Sequence, residues 1–318
     1  MSAHPGAAVP PATERPLLGI LFMCTAASLF PVMNGIAKLM SRDYSSEQVV
    51  WARTLSHLLF VLALFAPRYG WRIVRTRRPG AQFVRSLLLI GSTFLFFSAI
   101  RFVPIAQAAS ISFIAPLIVV LLAGPMLGER ILPSRVVAVT IGFVGVLVVI
   151  RPGAAVFQWA SLLIVGSAVC FAVYQILTRR VAGIDRPETS AVYSALVGSV
   201  LMSLLVPLSW RTPATWTDIA LLVSLGVLGG LGHYCVARAL LYAAANLLSP
   251  FQYWQMVGSV IVGWLMFAEV PDAATWIGTA LIVGAGMYVG MTTREGAGGG
   301  NSGDGPPPSV KTGRTAGR

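Results

Sequence analysis

Acidic residues are scarce: there are eleven among 318, and none stands in the middle of an apolar stretch. Proton coupling through a carboxylate buried in a helix bundle therefore has no obvious carrier here. Histidine is rarer still. The three copies (His4, His57, His233) form no HExxH motif and have no spacing suited to one shared ion, which argues against a metalloenzyme. Cys24, Cys170 and Cys235 fall singly within apolar sequence without a CxxC pair, which argues against disulfides, zinc and thiol redox chemistry. Nothing in the sequence points to a bound cofactor or metal. Charged residues of either sign make up only 11%. A chain so poor in charge, 56% hydrophobic and with a mean hydropathy of +0.78, lies outside the range of water-soluble domains and belongs in a lipid bilayer.

Spanning ~30 Å of hydrocarbon takes roughly 20 helical residues. Clusters of Arg, Pro and Gly divide the apolar sequence into ten runs of about that size, near 16–40, 47–66, 83–101, 104–127, 134–150, 157–178, 189–208, 217–241, 249–269 and 273–291. The runs are continuously apolar and lack the alternation of barrel strands, so the expected fold class is an all-α membrane protein with ten transmembrane helices. The first run is too long for a cleavable signal peptide and is not led by a basic segment.

The net charge of +12 is unevenly spread. With the N-terminus taken as cytoplasmic, the inward loops hold Arg68, Arg72, Arg75, Arg77, Arg78, Arg130, Arg135, Arg179, Arg180 and Arg186, while the outward loops hold Arg42, Arg101, Arg151 and Arg211. This positive-inside bias places both termini in the cytoplasm, since the number of spans is even. "RYGWRIVRTRRPG" (residues 68–80) is thus a topology signal, not a nucleic-acid patch.

The chain divides into an N-terminal tail (1–15), a first five-span half (16–151), a second (157–291) and a Gly- and Pro-rich tail (292–318) expected to be disordered. The halves look duplicated. A displacement of 140 positions aligns Ala99 with Ala239, Val120 with Val260, Met126 with Met266 and Glu129 with Glu269. Each half also carries an Ala-rich turn ("PIAQAAS", "YAAANLLS"), then a long apolar span with a terminal Glu, then a Gly-bearing span. Five is odd, so two such halves would lie in the membrane in opposite orientations, the inverted-repeat architecture of many secondary transporters.

These features resemble the EamA branch of the drug/metabolite transporter superfamily: ten spans in two halves, "LGER" and "FAEVP" closing the apolar spans, "GFVGVLVVIRPG" closing the first half, and "SPFQYWQ" in the ninth span. The resemblance implies movement of small organic metabolites across a bacterial inner membrane, commonly without a bound cofactor. Some members of that branch carry amino acids, riboflavin or S-adenosylmethionine.

Polar groups within hydrocarbon are the candidates for a substrate site. Asn34 and Lys38 share one face of the first span, Arg53 and His57 one face of the second, and Tyr234 and Arg238 one face of the eighth, with His233 beside the last pair. Lys38, Arg53 and Arg238 also suit snorkelling to the headgroups, and the histidines also suit hydrogen-bonded packing. Arg53 would lie roughly 8–9 Å below the outer end of its span, which favours an interior partner. Pro31 and Pro116 are expected hinges, each removing one helical bond and freeing the carbonyls of Ala27 and Ser112. Ser249 and Pro250 read as N-cap and first residue of the ninth span, placing Gln252, Gln255 and Ser259 along one face with Tyr253 and Trp254 beside them. That stripe suits either a cavity wall or a helix contact. Small residues such as Ala138, Gly142, Gly145, Ala280 and Gly284 suit close packing, with a homodimer contact as a second reading. Glu129 and Glu269 oppose the dipole of the helices they end, so each needs a compensating partner, such as the next helix's free N–H groups or Arg135. Both read as structural acids that fix turns. With no acid at mid-span, the expected substrate is a zwitterionic, neutral or anionic small molecule.

Overall fold

The computed structural model describes residues 15–127, 132–153, 158–181, 184–243 and 245–298. All regular elements there are helices: α1 (Pro16–Met40), α2 (Ser46–Tyr69), α3 (Pro79–Ile100), α4 (Ile105–Ser112), α5 (Ala115–Leu127), α6 (Pro133–Ile150), α7 (Ala160–Val181), α8 (Pro187–Leu205), α9 (Trp216–Tyr242), α10 (Ala245–Gln252), α11 (Trp254–Phe267) and α12 (Ala273–Gly298). Among the described residues, eight segments are long and apolar enough to cross a membrane, with α4 and α5 together forming one of them. The apolar part of α12, Ala273–Val289, is shorter, and α10 and α11 are separated by a break.

Helix starts are set by local chemistry. Pro stands in the first turn of α1, α3, α6 and α8, where its missing N–H costs nothing. Ser45 caps α2 by accepting from Gln48 N at 3.2 Å, and Thr215 and Asp218 form a capping box at the start of α9. Corresponding helices begin at nearly constant displacement: 245 − 105 = 140, 273 − 133 = 140, 187 − 46 = 141, 160 − 16 = 144 and 216 − 79 = 137.

Two helices are interrupted, and both depart from the sequence expectation. Pro116 produces a full break at Phe113 and Ile114 instead of a kink, after which α5 starts with Pro116 in its first turn. The ninth helix does not begin at Ser249. It starts at Ala245, carries Pro250 inside α10 and breaks at Tyr253, whose N–H turns back to Pro250 O at 3.2 Å. A Ser-Pro pair suits a helix start, but the chain here continues through the proline and stops one turn later. Phe113 and Tyr253 are themselves 140 positions apart, and their rings meet with centroids 5.1 Å apart. Pro31, by contrast, lies within an unbroken α1, where a methyl group at Gly258 of α11 would come within 2.8 Å of its ring.

Loop contacts sort the helix ends into two groups. At the Tyr44 end, Tyr44 donates to Asp218 at 2.9 Å, Gln48 bonds the Arg211 backbone, Phe102 meets Trp159 and Arg151 pairs with Asp272. At the Asp185 end, Asp185 accepts from Thr76 and from Arg77 N, Tyr193 donates to Val74 O, and Arg180 donates to Met126 O. Trp159, Trp210, Trp216 and Trp276 are exposed near the Tyr44 end, as aromatic side chains at a lipid–water boundary are. Along the helices, exposed Leu, Val, Ile and Phe cover the outside, while Ala, Gly and Ser are concentrated at helix contacts. A methyl group at Gly145 of α6 would lie 2.8 Å from Gly278 O of α12, so these backbones touch. Ala138 and Gly142 are buried, whereas Ala280 and Gly284 are exposed.

Candidate functional site

The second helix enters the bundle at the Tyr44 end. Arg53 lies seven residues past Ser46, about 10 Å along the axis, and His57 about 16 Å, near the middle of the ~30 Å hydrocarbon layer. Helix α9 receives this face through glycines. A methyl group at Gly226 would lie 2.2 Å from His57 N and 2.5 Å from Arg53 O, and one at Gly230 would lie 2.6 Å from the Phe60 ring. Only a residue without Cβ lets the two backbones approach so closely. At Gly229 a methyl group would be 3.7 Å from the Arg53 guanidinium, so that glycine also leaves space for the charge.

Beyond Gly230 the same face of α9 changes character. His233, Ala237 and Leu240 follow at intervals of three and four residues and are all exposed. The His233 ring lies parallel to the His57 ring, with centroids 5.9 Å apart at 11°, and meets Phe30 of α1 edge-on at 5.3 Å. Arg53 lies over the Phe97 ring of α3 at 5.6 Å. The Arg53 Nε is buried without a hydrogen-bond partner, and no carboxylate pairs with the guanidinium among the described residues. Four helices thus contribute one guanidinium, two imidazoles and two phenyl rings between the Tyr44-end third of the span, where Arg53 meets Phe97, and its middle, where the imidazoles meet Phe30.

Lys38 lies elsewhere. It is buried at the Tyr44 end, donates to Val103 O at 2.8 Å and pairs with Glu269, whose second oxygen accepts from Ile105 N at 3.1 Å. The geometry that delivers Glu269 is local: Ala268 adopts a left-handed conformation (φ 55°), Glu269 N bonds Gly263 O at 3.0 Å, and the chain reverses at the end of α11. Of the two kinds of partner anticipated, Glu269 uses a helix N–H and, among the described residues, no arginine. Lys38 and the first N–H of α4 compensate the carboxylate instead. Asn34, one turn from Lys38 toward mid-depth, is buried and makes no side-chain hydrogen bond among the described residues. Glu129 lies outside the described residues.

The remaining candidates are dispersed. Arg238 stacks on Tyr242 at 5.1 Å and on Phe22 at 6.0 Å, toward the Asp185 end. Tyr234 is half-buried nearby. Gln252 is exposed as the last residue of α10, and Tyr253 packs on Phe113 with its hydroxyl filling the space that Gly286 leaves. The Gln255 carbonyl accepts from Ser259, the Ser112 hydroxyl returns to Ala108 O at 2.9 Å, and Trp254 bonds Ser28 on an exposed face. The stripe anticipated on the ninth helix is therefore split by the break at Tyr253.

Arg85 stands two residues inside the third apolar run, 83–101, and nothing in its sequence neighbourhood marks it as a site. It is fully buried and uses all five N–H groups: to Gln82, to Tyr174 and Thr178, and to Ser190 O and Ser194. Its surroundings are complete, and those of Arg53 are not. Near it, burial alone would push the Asp185 carboxyl up. Hydrogen bonds from Thr76, Arg77 N and Gln82, with the Arg77 charge, outweigh this and hold it below the ordinary carboxylate range.

A cleft of about 220 Å³ opens at the Tyr44 end between Pro104, Gln107, Arg151, Glu269, Asp272 and Thr275. The backbone and hydroxyl of Thr275, and then Arg151, hold the Asp272 carboxyl below its usual range. Among the described residues, no three His, Cys, Asp or Glu side chains are grouped to hold a metal ion.

The sequence model of the EamA-like transporter family matches residues 17–151 and, again, residues 158–291. The chain belongs to the EamA-like transporter family. Its activity is therefore transport and not catalysis, and it is a multi-pass membrane protein. The chain is 31% identical over 273 residues to a riboflavin transporter of Vibrio cholerae, covering 85% of this chain and 92% of that one. It is 29% identical to an S-adenosylmethionine uptake transporter of Rickettsia conorii (80% and 86%) and 28% identical to a pseudopaline exporter of Pseudomonas aeruginosa (87% and 97%). One crystal structure, 24% identical over 89% of this chain and 98% of its own, superposes with a TM-score of 0.59 and so shares the fold.

Proposed function

We propose that this chain is a secondary transporter that carries a small organic metabolite across a bacterial inner membrane by alternating access to a mid-membrane site between two inverted five-helix halves. The directions of the helices support inversion. Helix α1 runs toward the Tyr44 end and α7 away from it, α2 away and α8 toward, α3 toward and α9 away, α6 toward and α12 away. The arginine-rich loops lie at the Asp185 end, and the positive-inside bias supports a cytoplasmic location for that end and for both termini.

The observation that carries this reading is the Arg53 cluster: a cation without a counter-ion among the described residues and two stacked imidazoles within the span, closed toward the Tyr44 end by tight α2–α9 packing and the Lys38–Glu269 pair. A buried charge without a counter-ion is costly and is retained where it acts. The breaks at Phe113 and Tyr253 provide facing hinges about which the halves exchange open ends. The substrate pool is zwitterionic, neutral or anionic, amino-acid- or vitamin-like, and polycations such as spermidine are poor cargo. The lipid bilayer is the protein's surrounding partner, and the exposed Ala280–Gly284 stripe of α12 would be the contact of a homodimer.

The test is counterflow in proteoliposomes, beginning with riboflavin and S-adenosylmethionine, the cargoes named for relatives. Preloaded unlabelled substrate should accelerate entry of label, and the Arg53→Gln variant should abolish this. Non-saturable entry indifferent to preloading would indicate a passive channel and refute the proposal.

A further inference from the structure

Resting on that reading, we infer that the substrate carries an acidic group on or beside a planar ring, with the acid held by Arg53 and the ring by the His57, His233 and Phe30 side chains. Arg53 has the most to gain from a ligand. Its guanidinium offers five donors in a rigid fork suited to the two oxygens of a carboxylate or the oxygens of a phosphate ester. Phe97 lies under the fork at 5.6 Å and contributes a cation–π contact, which stabilises the charge but uses none of the five N–H groups. Four of the described carboxylates are engaged elsewhere, Glu269 with Lys38, Asp272 with Arg151, Asp218 with Tyr44, and Asp185 with Thr76 and Gln82, and none among the described residues pairs with Arg53. Arg85 shows how this bundle treats a guanidinium of purely structural use, surrounding it with five acceptors.

The planarity follows from the rings. His233 is exposed, stacked on His57 at 11° and edge-on to Phe30, so α1, α2 and α9 offer flat faces at one level, His57 being one helical turn past Arg53. Flat side chains with few rotatable bonds favour a flat partner, at centroid separations of roughly 4.5–7 Å. The imidazoles add hydrogen-bonding nitrogens for ring heteroatoms, since neither ring has a hydrogen-bond partner among the described residues. A bare inorganic anion would satisfy Arg53 but leave the rings unused.

The inference is tested on full-length protein in detergent by thermal-shift titration with matched pairs: nicotinate against nicotinamide, and 4-aminobenzoate against 4-aminobenzamide. Hexanoate serves as the non-planar acid, and chloride and inorganic phosphate as the bare anions. The planar acids should stabilise at concentrations at least ~10-fold lower than their amides, hexanoate or the bare anions. That preference should vanish in Arg53→Gln and persist in weakened form in Arg53→Lys, with neither variant lowering the unliganded melting temperature. Amides as effective as acids, bare anions as effective as planar acids, acid preference surviving in Arg53→Gln, or no stabilisation by either acid would each overturn it. Riboflavin counterflow on the same preparation separates the two proposals: saturable counterflow without acid preference refutes this one and leaves the carrier reading standing.

Discussion

Lys38 of α1 and Glu269 after α11, 231 residues apart in sequence, are ion-paired at the Tyr44 end, with side chains 10% and 23% exposed. Through Ile105 N and Val103 O the pair also grips the start of α4 and the connection that leads into it from α3. On the alternating-access proposal, opening that end would require the pair to separate, and the pair would act as a lock between the halves.

Replacing one partner leaves the other charge half-buried and unmatched, at a cost of about 2–4 kcal/mol, below the range for fully buried pairs. Lys38→Met and Glu269→Gln should each lower the melting temperature and increase labelling of an Asn34→Cys reporter by an impermeant maleimide added outside intact cells. Exchanging the charges, Lys38→Glu with Glu269→Lys, should recover part of both effects. No change in labelling in the single variants would remove the lock.

Arg53 and Arg85 should behave oppositely. Arg85→Met strands five acceptors and should cost about 2–4 kcal/mol, visible as a lower melting temperature with cargo preference unchanged. Arg53→Gln removes an uncompensated charge and should leave melting unchanged or higher while abolishing counterflow. Equal destabilisation by both substitutions would make Arg53 structural.

Acid stability should depend on Asp185. Its folded-state carboxyl titrates below the unfolded value near ~3.9, so its contribution is complete above that value and is lost as the pH falls through the lower, folded value. Asp185→Asn should therefore lower stability at neutral pH and flatten the loss of melting temperature below about pH 4. A parallel acid profile in wild type and variant would place the acid sensitivity elsewhere.

Glycines should divide by what surrounds them. Gly226→Ala forces a methyl group against the backbone of α2 and should cost at least ~1–3 kcal/mol, whereas Gly284→Ala meets nothing within 4 Å and should gain up to ~1 kcal/mol of helix propensity. Melting curves of the two variants decide this.

Much of the fold was legible because the membrane enforces one pattern: long apolar runs become helices, and loops take the arginines. The displacement of 140 positions was visible through residues such as Met126 and Met266, and the helix starts follow it closely. What stayed hidden depends on contacts across the halves. Nothing near Lys38 announces a partner 231 residues away. Phe30 and Phe97 look like any lipid-facing Phe until His233 and Arg53 meet them. Ser249–Pro250 mimics a helix start because local propensity cannot register that the packing at Tyr253 sets the break. Arg85 has no local signature because most of its acceptors come from α7 and α8.

The central claim is that two halves of like sequence sit in the membrane upside down relative to one another. It is tested most directly by the loops after α1 and α7, at Arg42 and Asp185, in a background with Cys24, Cys170 and Cys235 replaced. An impermeant maleimide applied to intact spheroplasts should label Arg42→Cys at once and Asp185→Cys only after lysis. Labelling of both from the same side would contradict the account.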